Sequence, residues 1–218
     1  MLGRIFSKKN VDCYKRFDTN VMNDLLIPAG ACLSVVLIFA VLGVVAVKMS
    51  KKSQAAWRAV SERTGLYYEH KGVYPKLEGR LHGADLMVDV MTQQVASSSE
   101  YGPRNRAWTR VRAQLDDPPQ IQVRSRQQKH KVGDDWQSVK TGNPAFDDVY
   151  ELFVPNGVSP KEVFPKSVEL ALLAANPPVH IMNNVVLWTK LRVVRDPDLL
   201  VSACESCSRV AAALSEYE

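Results

Sequence analysis

The strongest constraint on this chain is a run of 23 residues, Leu25 to Val47, that carries no charge and is rich in Leu, Ile, Val and Ala. As a helix it would reach roughly 34 Å, enough to cross a hydrocarbon core of about 30 Å with some tilt. Helices buried in water-soluble domains seldom run this long without a polar face. Pro28 falls in the first turn, where a missing N–H costs little. A cleaved leader fits poorly, because 24 mixed residues precede the run and it is longer than a signal-peptide core. Cys32 follows Ala29-Gly30-Ala31, but most of the apolar stretch lies after that cysteine, which excludes a lipoprotein box. The expectation is a retained single-pass transmembrane helix over 25–47. Residues 1–24 then form a flanking segment, 48–65 a juxtamembrane helix and 66–218 a domain. Gly30 and Ser34 have the spacing that lets two such helices pair closely, as in a homodimer.

The chain holds 28 Lys+Arg against 23 Asp+Glu, a net charge of +5. Such a balance ordinarily invites a nucleic-acid partner. Its placement removes that reading. Residues 1–24 contain five cations and three anions, Lys48, Lys51 and Lys52 add three cations, and Ser53 to Glu218 holds twenty of each. The whole excess flanks the uncharged run, where it sets topology and meets membrane lipids. Within about fifteen residues of the run, Lys48, Lys51, Lys52 and Arg58 outnumber Lys15 and Arg16. The positive-inside rule then places the C-terminal domain in the cytoplasm, at an inner (plasma) membrane. A window of about twenty residues narrows the bias to five against four.

Beyond the run, periodicity predicts an α+β domain of mainly antiparallel hairpins with packed helices. Ser53 to Thr64 reads as a helix closed by Gly65. Leu66–Glu69, Lys76–Leu81 and Asp85–Met91 read as strands. In Arg106 to Leu115, Ala107, Thr109, Val111, Ala113 and Leu115 alternate with Arg106, Trp108, Arg110, Arg112 and Gln114. Asp116-Asp117-Pro118-Pro119 supplies a turn, and Ile121, Val123 and Ser125 then alternate with Gln122, Arg124 and Arg126. Period two on both arms predicts one antiparallel hairpin with an apolar and a basic face. Gln127 to Gly142 reads as loop and Phe146 to Val154 as strand. Ser159 to Glu162 has the residues of a capping box, and a helix restarts at Pro165 and runs to about Ala175. Asn183-Asn184 joins two strands of a hairpin, and Asp196-Pro197 opens a last helix reaching about Leu214.

Several of these pieces in this order resemble a loose group of uncharacterised bacterial membrane proteins. The pieces are WRAVSERTGLYY (Trp57–Tyr68), TGNPAFDDVY (Thr141–Tyr150), PKSVELALLAA (Pro165–Ala175) and the opening Asp196-Pro197-Asp198-Leu199. The resemblance spans most of Ser53 to Glu218. It implies a bacterial protein with one N-terminal membrane helix and a domain of unknown function, and it transfers no catalytic residue.

Chemistry-bearing candidates are few. Cys204 and Cys207 have the spacing of a redox pair, which works when the first sulfur sits at a helix N-terminus. Here the helix starts about two turns earlier, and Leu200, Cys204, Cys207, Ala211 and Leu214 step along one apolar stripe, so core thiols compete with a membrane-tethered thiol oxidoreductase. Cys13 and Cys32 sit before or inside the apolar run and supply no further metal ligands. His70, His82, His130 and His180 show no ligand spacing. Asp134-Asp135 and Asp147-Asp148 are adjacent pairs with no shared face in a strand. Asp147 is instead placed to accept backbone N–H groups at a turn. Neither metal nor cofactor is expected, nor an enzyme. What remains is a surface of Arg106, Trp108, Arg110, Arg112, Arg124 and Arg126, suited to an unidentified protein partner or to anionic lipid headgroups.

Overall fold

The computed structural model describes residues 51–95, 104–117, 120–126 and 132–216. The expected transmembrane run, its preceding segment and Lys48 lie outside them. Among the described residues no helix is long and apolar enough to cross a membrane. Residues 52–218 belong to one compact unit, and its class is α+β, a large antiparallel sheet with several helices.

Helix α1 covers described residues 51–64. It stops at Gly65, whose φ of +76° only glycine adopts cheaply and whose N–H donates to Ser61 O at 2.8 Å. Trp57 on α1 is wholly buried, and its Nε1 donates to Val194 O at 2.9 Å. Burying an indole removes about 200 Å² from water, which contributes on the order of 5 kcal/mol. The hydrogen bond keeps its one polar atom satisfied.

The strands are β1 (Tyr67–Glu69), β2 (Lys76–Leu81), β3 (Ala84–Val95), β4 (Arg104–Gln114), β5 (Gln122–Ser125), β6 (Trp136–Val139), β7 (Tyr150–Pro155), β8 (His180–Met182) and β9 (Val185–Leu191). They form one sheet in the order β1-β2-β3-β4-β9-β8-β5-β7-β6. Tight turns carry the hairpins. His82 and Gly83 both have positive φ between β2 and β3, and Asn183 has φ +55° between β8 and β9. The remaining helices are α2 (Pro144–Val149), α3 (Pro160–Val163), α4 (Lys166–Ala174) and α5 (Pro197–Ser215). Asp196 caps α5 by accepting from Asp198 N and Leu199 N, and Pro197 opens the first turn.

Helix α5 lies against β2, β3, β4 and β9, and α4 packs on α5. The inward strand positions, among them Leu77, Val88, Val111, Ala113, Val123, Leu152, Ile181 and Val186, are fully or almost fully buried. Leu200, Cys204, Cys207, Val210 and Ala211 meet them from α5. Thr109 is the polar exception on the inner face. Its Oγ1 donates to Arg192 O at 2.8 Å and accepts from Val194 N at 2.9 Å, pinning the β9–α5 connection.

Four expectations need correction. The capping box expected at Ser159 to Glu162 is not formed, since the Ser159 side chain makes no cap hydrogen bond at the start of α3. The segments Arg106–Leu115 and Ile121–Arg126 do not form a hairpin: β4 pairs with β3 and β9, while β5 pairs with β7 and β8. The β8–β9 hairpin sits between them, because it offers apolar partners on both edges. Phe146 to Val154 is strand only from Tyr150; Asn143 Oδ1 accepts from Ala145 N and Pro144 begins the short helix α2. Within the expected loop 127–142, Trp136–Val139 is the edge strand β6, paired with β7.

Candidate functional site

The face of the sheet turned away from α5 is built by alternation. In register across β3 and β4, Asp89 stands opposite Arg110, Met87 opposite Arg112, Met91 opposite Trp108 and Gln93 opposite Arg106. β9 continues the row with Leu187 opposite Arg112 and Thr189 opposite Arg110. Charges and large apolar side chains thus share one surface.

Asp89 organises it. Arg110 grips its carboxylate with both prongs, Nε to Oδ1 at 2.9 Å and Nη2 to Oδ2 at 2.7 Å. Arg112 Nη2 reaches the same Oδ2 at 2.8 Å. Planar two-point contacts of this kind fix a guanidinium in direction as well as position. Two cations share one anion, so the cluster keeps one positive charge. Met91 Sδ accepts from Arg110 Nη1 at 3.4 Å and Met87 Sδ lies 2.9 Å from Arg112 Nη2. Arg112 Nε and Trp108 Nε1 are shielded from solvent and have no hydrogen-bond partner. A buried donor left unpaired is costly, by about 1–3 kcal/mol.

The other predicted surface residues divide. Arg106 is exposed on the same face. Arg124 also points to that side, but three strand spacings, about 14 Å, separate β5 from β4, and Arg126 lies in the turn that follows β5. Arg124 is buried, and its Nη2 donates to Gln122 Oε1 at 2.9 Å while its guanidinium lies 5.8 Å from the Phe153 ring centre. Burial lowers its pKa, with Glu151 opposing. Arg126 Nε donates to Asp147 O at 2.6 Å. The six residues therefore do not form one continuous patch. Arg106, Trp108, Arg110 and Arg112 form the cluster, and Arg124 belongs to the sheet's own packing. Of the three lysines expected to set topology, Lys51 and Lys52 are exposed on α1.

Sequence reasoning did not single out Asp89 as the acid that balances the arginines. The signal was present in Asp85, Met87, Asp89 and Met91, which alternate against Leu86, Val88 and Val90. Only pairing of β3 with β4 assigns Asp89 its two arginines.

The remaining candidates serve structure. Cys204 and Cys207 are fully buried, and Cys207 Sγ lies 3.7 Å from Val111 O. Burial pushes the Cys204 thiol up to about 12 and the Cys207 thiol well above its ordinary value. Neither is a thiolate near neutral pH, which is the form that attacks disulfides or binds metal. Asp147 accepts from Thr141 N and Oγ1, each at 3.0 Å, and from Gly142 N at 3.2 Å. Partial burial works against its ionisation, yet these donors outweigh it and hold the carboxyl below the usual range. His180 Nδ1 accepts from Ser125 N at 3.2 Å, and His70 meets Gln54. Among the described residues no three His, Cys, Asp or Glu side chains are grouped to hold a metal ion. His130, Cys13 and Cys32 lie outside the described residues.

Comparison with family models, with curated proteins and with solved structures finds no match for this chain.

Proposed function

We propose that this protein is a non-enzymatic, single-pass protein of a bacterial inner membrane whose α+β domain docks an acidic protein partner on the cytoplasmic side. The anchor rests on the 23 uncharged residues from Leu25 to Val47, and the orientation on Lys48, Lys51 and Lys52. The resemblance to bacterial proteins with one membrane helix points the same way.

One observation carries the docking face: two guanidiniums converge on one carboxylate and leave the cluster with one net positive charge. A carboxylate-rich segment complements that charge. Trp108, Met87, Met91 and Leu187 supply the apolar contact that anchors most interfaces. Arg106 at the rim steers association.

The full-length chain in detergent, titrated with a Glu-rich decapeptide and separately with phosphatidylglycerol vesicles, tests this reading. Arg106→Gln with Trp108→Ala should weaken peptide binding about tenfold, with binding falling as salt rises. Unaltered peptide binding in that variant would overturn the docking face. Vesicle binding lost in the variant, with no peptide binding in the parent, would reassign the surface to anionic lipid. Protease protection in intact and inverted vesicles checks the anchor and its orientation.

A further inference from the structure

A second surface, distinct from the arginine face, carries its own chemistry. The β6–α2 connection, α3 and the start of α4 enclose an open cleft of about 390 Å³, with Lys140, Lys161 and Lys166 on its walls. Phe164 and Pro165 give it an apolar side, and Glu169 lies in its floor. Clefts of this size suit small organic ligands.

The polar groups are unequally committed. Glu169 is buried, and its Oε1 accepts from Asn143 Nδ2 and from Lys166 Nζ. That contact holds the Lys166 ammonium at the cleft wall. Thr141 contributes no free hydroxyl proton, since its Oγ1 donates to Asp147. Lys140 and Lys161 are exposed, and Lys140 lies near enough to Asp147 to favour its carboxylate form without a direct salt bridge. Three ammonium groups line the cleft beside the carboxylate of Glu169, and Asp147, bonded to Thr141 behind the wall, offsets part of the Lys140 charge, so the surroundings stay net positive by one charge. Helix α4 starts at this wall, and its N-cap Pro165 makes no side-chain cap bond. Its first-turn N–H groups and the positive end of its dipole add to the same sign.

We propose that this cleft binds a dianionic phosphomonoester, with Lys140 and Lys161 meeting the phosphoryl oxygens and Lys166 held in place by Glu169. Lysine binds phosphate as a movable point charge, and three such charges match three terminal oxygens. The ester's organic part lies along Phe164 and Pro165. The phosphoryl group comes either from a soluble metabolite or from a lipid headgroup.

Calorimetry on the full-length chain in detergent, with phenyl phosphate and with inorganic phosphate, tests the site. Phenyl phosphate should saturate one site and bind more tightly than inorganic phosphate, because only it covers the apolar wall. Lys140→Gln combined with Lys161→Gln should weaken it at least about tenfold, whereas Lys140→Arg with Lys161→Arg should keep most of the affinity. Lys190→Gln, on strand β9, should change nothing. Affinity should fall below about pH 6, where the monoester loses its second charge. Phosphatidic acid vesicles distinguish the source: competition with phenyl phosphate assigns a headgroup, and its lack assigns a soluble ester. Absence of saturable binding to any of these probes, or equal binding by the Gln pair, overturns the proposal. The arginine face is untouched by these variants, so its docking role stands or falls separately.

Discussion

At the scale of single residues, the sheet depends on positions where one atom decides the outcome. Gly79 faces inward on β2 opposite Leu86, with φ of +147°. A Cβ there would lie 3.3 Å from Leu66 Cδ2 and 3.6 Å from Leu66 Cα. Leu66 is itself buried directly after α1, so it has little room to retreat. Gly79→Ala should therefore destabilise the domain by about 1–3 kcal/mol, through backbone strain and overpacking together. Urea unfolding of the full-length chain measures it, and a change below about 0.5 kcal/mol would contradict the packing. The sequence sets Gly79 apart from the turn glycines by placing it inside the strand Lys76–Leu81, but the neighbour that needs its missing Cβ, Leu66, lies thirteen positions away.

Among elements, α5 was legible almost to its ends. Asp196 and Pro197 mark its start, and the 4, 3, 4, 3 stepping of its apolar residues names its buried face. That stripe places both cysteines under the sheet. Native protein should accordingly resist alkylation near neutral pH at Cys204 and Cys207, and unfolding in denaturant should release both thiols. With the Cys204 thiol at about 12, only about one molecule in 10⁵ carries its thiolate at pH 7. Mass spectrometry after timed iodoacetamide exposure reads the difference. Rapid native labelling of either position would restore the oxidoreductase alternative. The basic strands were legible only in part. Alternation named the correct face for Arg106 to Arg112, but partner choice lies between strands distant in sequence. Arg124 obeys the same alternation and is buried, because Gln122 and Phe153 close around it.

For the whole molecule, the buried acids of the core set an alkaline limit. Burial raises Cys204 from 9.0 to about 12, raises Cys207 in the same direction, and raises Tyr150 from 10.0 to about 12. Each folded pKa exceeds its unfolded value, so the native state holds more protons between them. The corresponding stability is complete below about pH 9 and is lost as pH rises toward 12. Melting temperature should thus decline above pH 9, and Cys204→Ala should flatten that decline even if it lowers stability at neutral pH. An identical alkaline slope in the variant would refute the assignment. The sequence alone determined the uncharged run, the neutral balance after Lys52, the α+β class, the Gly65 stop, the Asp196 cap, the Asn183-Asn184 turn and the inward faces of the strands. These are local or compositional properties, each carried by residues within one or two turns of chain. Tertiary structure decided the rest: which strands lie beside β4, that Asp89 gathers Arg110 and Arg112, and that three lysines surround one cleft. Those facts arise from pairings across tens of residues, where many registers satisfy the same alternation and only the packed sheet selects one.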